Sequence, residues 1–322
     1  MFLVTLVLGS LISVSSSTWL GIWMGLEINL LSMIPLMTSP LNAFSNESAI
    51  KYFITQALAS AILMFTVLGF ETMGLLTSTL LMESVLFTKM GAAPFHFWFP
   101  EVMEGLNWSN SLILMTWQKL APMVILSYLP LIPSFTLIVI AASMTISGIM
   151  GINQSSLRKI MAFSSINHIG WMLSTIMFVE TIWTLYFTVY SLISSAIVFT
   201  LHSLNISHVK QLFTAFDNNN TKLLFSLNFF SLGGMPPFLG FMPKWMAIQS
   251  LIDLGMVLTT LVMIILTLIP LYYYIRLTIA SMVLQVEIPL TSKNKLNSML
   301  PAILNGVSVL GLIVSSVLFN FL

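Results

Sequence analysis

Five ionisable side chains stand inside long apolar stretches of this sequence: Glu27, Glu83, Lys89, Lys119 and Lys244. A charged group at the centre of a membrane helix costs about 2.5–3.5 kcal/mol to insert, so such groups persist where they face one another or water. Two anions cannot neutralise three cations, so pairing alone does not account for the set. The chemistry these residues permit is proton transfer. A nearby carboxylate favours a charged lysine and burial favours a neutral one, so making and breaking such a pair loads and ejects a proton.

Their settings differ. Glu27 lies in Trp23-Met24-Gly25-Leu26-Glu27-Ile28-Asn29, mid-way along an apolar stretch, and reads as the carboxylate partner of a lysine. The alternative is a neutralised acid hydrogen-bonded to a neighbouring helix. Glu83 is not at i, i+3 or i, i+4 spacing from Lys89, so a continuous helix does not bring them face to face; it is expected to reach the nearby surface and is left out of the relay. Lys89 precedes Gly91 and Pro94. Carbonyls freed by an interrupted helix can hold water and cations at such a place, the alternative being a lysine that snorkels to a span end. Lys119 follows Trp117-Gln118 and precedes Leu120-Ala121-Pro122, where proline leaves the Gln118 carbonyl without its helical donor. It reads as a water-linked relay station or as a buried lysine bonded to Gln118 or a serine. Lys244 directly follows Phe241-Met242-Pro243 and reads as a relay lysine or as a residue of the far surface. His168, in Ser164-Ser165-Ile166-Asn167-His168, sits mid-span with polar neighbours and is a candidate relay group. His96 among Phe95, Phe97 and Trp98 fits proton transfer or aromatic packing equally, and His202 and His208 read as surface residues. None of the four histidines lies in metal-ligand spacing with an acid.

Two of the lysines border the same Gly/Pro skeleton. With an offset of 143, Gly91 meets Gly234, Pro94 meets Pro237, Phe95 meets Phe238, Pro100 meets Pro243 and Met103 meets Met246. Apolar segments interrupted in corresponding halves of a chain point to the working site of a membrane transporter.

The elements that hold these residues are membrane helices. Hydrophobic residues make up 57% of the 322 positions and charged residues 7%, against about 25% charged in soluble domains. The apolar runs have helical length without sustained alternation, which argues against a β-barrel. The expectation is an all-α polytopic membrane protein of about eleven spans, at 2–17, 19–38, 50–70, 77–103, 108–129, 134–152, 157–178, 181–206, 222–250, 254–281 and 299–321. The spans at 77–103 and 222–250 are expected to be discontinuous. The apolar start at Phe2 reads as a first span and not as a signal peptide. Trp and Tyr are read as interface anchors near span ends. The connections at 39–48, 205–221 and 287–297 are expected to be short surface loops.

Alternating sides places Lys51, Arg158, Lys159, Lys210, Lys222, Arg276, Lys293 and Lys295 on the side of the N-terminus, with Glu47, Glu101, Glu104, Asp217 and Glu287. Glu71, Glu180 and Asp253 fall opposite, with no lysine or arginine. By the positive-inside rule the N-terminus faces the cytoplasm or its organellar counterpart, and an odd span count puts Leu322 on the other face. One segment of the Gly/Pro repeat then enters from the acidic side and the other from the basic side, so the halves 1–129 and 134–281 are expected to be inverted repeats within one transmembrane domain, followed by a final helix at 299–321. With zero cysteines, disulfides and thiolate-held iron–sulfur clusters are excluded from this chain. No G-x-G-x-x-G, P-loop, H-E-x-x-H or Ser–His–Asp context is present, and no basic patch points to nucleic acid.

Several stretches together carry a resemblance. Trp23-Met24-Gly25-Leu26-Glu27-Ile28-Asn29, Lys51-Tyr52-Phe53-Ile54-Thr55-Gln56-Ala57, Gly91-Ala92-Ala93-Pro94-Phe95-His96-Phe97-Trp98, Thr116-Trp117-Gln118-Lys119-Leu120-Ala121-Pro122, Leu157-Arg158-Lys159-Ile160-Met161-Ala162-Phe163-Ser164-Ser165 and Leu232-Gly233-Gly234-Met235-Pro236-Pro237 closely resemble the subunit 2 family of mitochondrial NADH:ubiquinone oxidoreductase, complex I. The match runs over most of the chain, from about residue 19 to 274, and is weak after Arg276. The short length is similar to the animal form, which lacks N-terminal helices of bacterial relatives. The resemblance implies an antiporter-like, proton-translocating module of the membrane arm in the mitochondrial inner membrane. It implies Glu27 and Lys89 as the charge pair of a first half-channel, Lys119 as the bridging lysine and Lys244 as the lysine of a second half-channel. It further implies that the basic face is the matrix, that the neighbours are other membrane-arm subunits including antiporter-like ones, and that FMN, iron–sulfur clusters and the ubiquinone site belong to partner chains, with no cofactor here. A stand-alone cation/proton antiporter and a purely structural membrane subunit are the competing functions.

Overall fold

The computed structural model describes residues 1–40, 42–178, 180–213 and 219–283, with Gly306 and Gly311 as isolated positions. Among these residues the chain is helical throughout and contains no strand. It divides into two compact units, Met1–Ser143 and Met144–Leu322. Apart from Gly306 and Gly311, the expected final span at 299–321 lies outside the described residues, as does the loop at 287–297.

In the first unit, α1 (Phe2–Ser15) and α2 (Trp19–Met37) form a close hairpin. Thr18 caps α2 by accepting from the Gly21 N–H at 3.3 Å, one of the orphan donors of a helix start. The two backbones touch through small residues: a Cβ on Gly25 would stand 2.5 Å from the Ser13 nitrogen, and one on Gly9 would stand 2.8 Å from that of Asn29. Lipid tails give apolar helices no reason to associate, so close backbone contact through glycine does that work. It sets the rotation of α2 and therefore where Glu27 and Asn29 point. Next follow α3 (Ala43–Leu68), the short α4 (Phe70–Met73), α5 (Leu75–Met90), α6 (Trp98–Gly105), α7 (Trp108–Met115) and α8 (Trp117–Ser127). Helix α3 packs against α2, α5 and α6, and α5 against α8.

The unit boundary falls inside α9 (Pro133–Ile152). Beyond it come α10 (Leu157–Phe178), α11 (Glu180–Ser203), a 3-10 turn (Val209–Phe213), α12 (Asn219–Gly233), α13 (Phe241–Asp253) and α14 (Val257–Val283). Helix α10 is enclosed on every face from Ile160 to Ile176 and packs against α11, α13 and α14. Among the described residues, five helices are long and apolar enough to cross a membrane: Trp19–Met37, Ala43–Leu68, Pro133–Ile152, Thr181–Ser203 and Val257–Ile279.

Both expected discontinuities are present, and they close alike. Gly91 ends α5 at φ 77° and Gly234 follows α12 at φ 75°, the left-handed region that glycine enters without a Cβ penalty. Beyond each glycine the next N–H returns to the last turn, Ala92 to the Phe87 carbonyl at 3.0 Å and Met235 to that of Phe230 at 3.2 Å, the six-to-one bond of a Schellman end. On the far side, Phe99 N–H donates to the His96 carbonyl at 2.9 Å and Met242 N–H to that of Leu239 at 3.3 Å. All four pairs obey the same sequence offset. A further interruption, absent from the sequence expectations, separates α7 from α8 at Thr116 (φ −111°, ψ −75°). Pro122 sits inside α8, where, having no N–H, it leaves the Gln118 carbonyl without its helical donor but does not end the helix. The ladder fails one turn earlier, where Lys119 N–H bonds the Thr116 carbonyl at 3.2 Å in a tightened turn.

Candidate functional site

Lys89 occupies the last turn of α5 and is buried. A helix C-terminus carries partial negative charge and unpaired carbonyls, which suits a cation. One of the carbonyls freed here, Thr88, is taken by the Trp98 indole N–H at 3.0 Å. Glu27, half-buried on α2, lies near enough to act electrostatically on Lys89, and its Oε2 is enclosed without a hydrogen-bond partner among the described residues. They are not in contact: among the described residues the ion pairs within 4.0 Å are those of Lys51 with Glu47 and Glu101.

Beside Lys89 lies a cavity of about 10 Å³ lined by Asn29, Tyr52, Gln56 and Gln118 together with Leu26, Leu30 and Pro122. That volume is about the room one water molecule requires, and the lining supplies the polar partners it needs. Gln118 holds the wall together: its Nε2 donates to Asn29 Oδ1 at 2.9 Å, and its Oε1 accepts from the Tyr52 hydroxyl at 3.4 Å. Helices α2, α3 and α8 are thereby tied at one level beside Lys89.

Lys119 is 1% exposed and stands in the first turn of α8, just after the interruption at Thr116. Its Nζ lies 5.3 Å from the centroid of the Phe99 ring, within cation–π range. That ring in turn rests on Gly91, where a Cβ would meet Phe99 Cβ at 3.1 Å. The glycine that ends α5 therefore also makes room for the ring beneath Lys119.

In the second unit Lys244 is buried, not at the far surface. It stands in the first turn of α13 and folds back across the break, its Nζ donating to the Gly233 carbonyl at 2.7 Å. Its stem lies flat on Gly234, where a Cβ would sit 2.7 Å from Lys244 Cδ. His168 is buried on α10, with Nδ1 2.8 Å from the Tyr186 hydroxyl and the ring 4.9 Å from that of Tyr190. His96, inside the first break, places Nδ1 3.3 Å from the Pro94 carbonyl and stacks on Phe97 at 4.4 Å.

Glu27 thus lies within electrostatic reach of Lys89 without an ion pair, Lys119 is held over Phe99 in the same unit, and Lys244 and His168 are buried in the second unit. Two sequence expectations are corrected. Glu83 does not reach a surface: it is 0% exposed, and its Oε1 accepts the Ile132 N–H at 2.7 Å where α9 begins. Tyr52, Tyr186, Tyr190, Tyr273 and Tyr274 are interior residues, so among the tyrosines the interface reading is left to the exposed Tyr128 and Tyr272. Sequence reasoning also passed over Asn29 and Gln56 and took Gln118 only as a neighbour of Lys119, although all three sit inside apolar runs. An amide there needs partners in the same way a charge does. Among the described residues, no three His, Asp or Glu side chains gather as a metal site would require.

Known proteins share these features. A family described as NADH:quinone oxidoreductase/Mrp antiporter, TM, matches residues 16–270. NADH-ubiquinone oxidoreductase chain 2 of Anopheles gambiae is 46% identical over 99% of this chain and 97% of its own. The protein of the same name from Ornithorhynchus anatinus is 38% identical over 98% and 93%. Among solved structures, a chain of respiratory complex I from Thermus thermophilus with bound aureothin superposes with a TM-score of 0.85 at 22% identity, over 96% of this chain and 77% of that one. A chain of the Mrp complex from Dietzia sp. DQ12-45-1b gives 0.80 at 16% identity, over 91% and 62%.

Proposed function

This chain belongs to the NADH:quinone oxidoreductase/Mrp antiporter transmembrane family, and we propose that it is a membrane-arm subunit of a NADH:ubiquinone oxidoreductase that moves protons through Glu27, Lys89, Lys119 and Lys244, with His168 as an accessory relay group. One observation carries the reading. Three of the four buried lysines among the described residues stand at an interrupted helix: Lys89 at the end of α5, Lys119 just past Thr116, and Lys244 at the start of α13, while the fourth, Lys222, lies in the first turn of α12. Interruptions inside a membrane are tolerated where they are buried in protein or line a water-filled cavity, and a cavity the size of one water lies beside Lys89.

The proton path begins at the Glu27–Lys89 pair. A rearrangement in a neighbouring subunit that moves Glu27 changes how firmly the Lys89 ammonium keeps its proton. The proton leaves through the water-sized cavity walled by Gln118 and passes to Lys119, then to Lys244. Reduction of ubiquinone by NADH, with FMN and iron–sulfur clusters, is assigned to partner subunits; this chain has no cysteine and supplies no thiolate. The subunit sits in the mitochondrial inner membrane beside other antiporter-like subunits and lipid, with the N-terminus toward the matrix and the C-terminus toward the intermembrane space. Within it, 1–129 and 134–281 act as inverted halves, followed by a final helix at 299–321.

Replacing Lys119 by Met in the assembled complex keeps the stem and removes the proton carrier. The expected outcome is normal assembly and NADH oxidation in uncoupled membranes, with coupled pumping lost. Undiminished pumping refutes the relay, and leaves a bracing role for the subunit.

A further inference from the structure

Beyond the lysines, the second unit encloses a set of phenols and hydroxyls. Tyr186 and Tyr190 stand one turn apart on α11, Ser164, Ser165 and His168 lie on α10, and Tyr273 and Tyr274 on α14; none is more than 4% exposed. The Tyr186 hydroxyl meets His168 Nδ1 at 2.8 Å. The Tyr190 hydroxyl faces Ser165, and the Tyr274 hydroxyl faces Ser164 and Tyr273. Tyr273 and Tyr274 cross edge to face with ring centroids 4.6 Å apart. Ser164 and Ser165 commit their own protons to the carbonyls of Met161 and Ala162, both at 2.7 Å. Their oxygens remain available as acceptors toward the phenols opposite them.

Packing does not require these oxygens. Phe225 and Phe229 fill the same interior, and the Phe229 ring stacks on that of Tyr274 at 6.4 Å. A buried hydroxyl without a good partner costs about 1–3 kcal/mol. Yet the hydroxyls of Tyr273 and Tyr274, with Asn167 Oδ1 and Trp171 Nε1 on α10, have no well-aligned partner among the described residues. Polar groups kept at that cost in an apolar interior call for an explanation other than stability.

The set also has a direction. His168 lies ~16 Å into α10 by helical rise, whereas Tyr273 rests on Gly151, where a Cβ would stand 2.8 Å from the ring. Gly151 is next to Ile152, whose carbonyl accepts from Arg276 at 2.7 Å, and α10 starts with Arg158 and Lys159 after Leu157. The hydroxyls thus run from mid-helix toward the basic end of the unit.

We propose that the four tyrosines, the two serines and His168 form a lysine-free proton conductor through the second unit, joining its interior to the end that carries Arg276. The inference rests on the proton-translocating reading of the chain. In each hop, a group takes a proton on one lone pair as it hands its own O–H or N–H proton to the next acceptor, each serine first turning its O–H from the helix carbonyl it holds toward that acceptor. One proton enters, one leaves, and rotation of the phenol O–H bonds resets the chain without an oxidant or reductant.

The test compares Tyr190→Phe, Tyr274→Phe and Lys119→Met in the assembled complex, reading protons moved per NADH oxidised in sealed membrane vesicles. The conductor requires that both tyrosine variants assemble, oxidise NADH in uncoupled membranes at the normal rate, and pump several-fold less per NADH. Normal pumping in both, with pumping lost in Lys119→Met, overturns the conductor and leaves the lysine relay standing. Normal pumping in all three overturns both. Should Tyr190→Phe fail to assemble, Ser165→Ala decides the matter: an equal fall, restored by Ser165→Thr, supports the conductor, and an unchanged ratio overturns it.

Discussion

Lys244 Nζ donates to the carbonyl of Gly233 at 2.7 Å, so the cation of one half-helix caps the negative end of the other. A charge-assisted bond of this kind is about twice as strong as a neutral one, and a helix C-terminus adds its own attraction. A step that took a proton from Lys244 would first have to weaken this bond.

Gly234→Ala is expected to reduce proton pumping several-fold, while Gly255→Ala leaves it unchanged. The two glycines have φ of 75° and 77°, so each alanine carries a similar strain of about 1–2 kcal/mol. Only at Gly234 does the new Cβ press on Lys244; at Gly255 it meets nothing. Vesicle acidification per NADH oxidised separates displaced lysine from backbone strain.

Phe99→Leu removes the ring beneath Lys119 and a cation–π contact of about 0.5–2 kcal/mol. The expected result is slower coupled pumping with NADH oxidation intact in uncoupled membranes. A pumping rate equal to that of the unaltered protein shows that the ring serves packing alone.

Gln118→Leu leaves Asn29 Oδ1 and the Tyr52 hydroxyl without their partner beside the cavity, at a cost of about 1–3 kcal/mol for a buried group. Thermal inactivation of the complex is expected at lower temperature, with pumping reduced. The double variant Asn29→Ala/Gln118→Ala should lose less stability than the sum of the singles, because both singles break one bond.

Glu83→Gln is expected to pump normally, since an amide oxygen still accepts the Ile132 N–H, whereas Glu83→Leu should lower thermal stability by orphaning that donor. A loss of pumping in Glu83→Gln would move this carboxylate into the relay.

The interruptions at Gly91 and Gly234 were legible because their cause is local. A positive φ calls for glycine and a missing N–H is proline's own, so the repeat survives as spacing in the chain. The interruption at Thr116 carries no such mark. Thr116 is flanked by residues of ordinary helix propensity, and the proline that does stand nearby, Pro122, is accommodated inside α8.

Sequence alone determined the class, the family and the three lysines that stand at interrupted helices, since a count of charges and the length of apolar runs are one-dimensional quantities. Only the tertiary structure decided which of these groups meet. Glu83 with Ile132 is a contact across 49 positions and Gln118 with Asn29 one across 89, and neither follows from spacing. In a membrane the lipid-facing and the packed sides of a helix are both apolar, so hydropathy does not mark the buried face. The tyrosines of α11 and α14 and the inward turn of Lys244 become visible once the helices are packed.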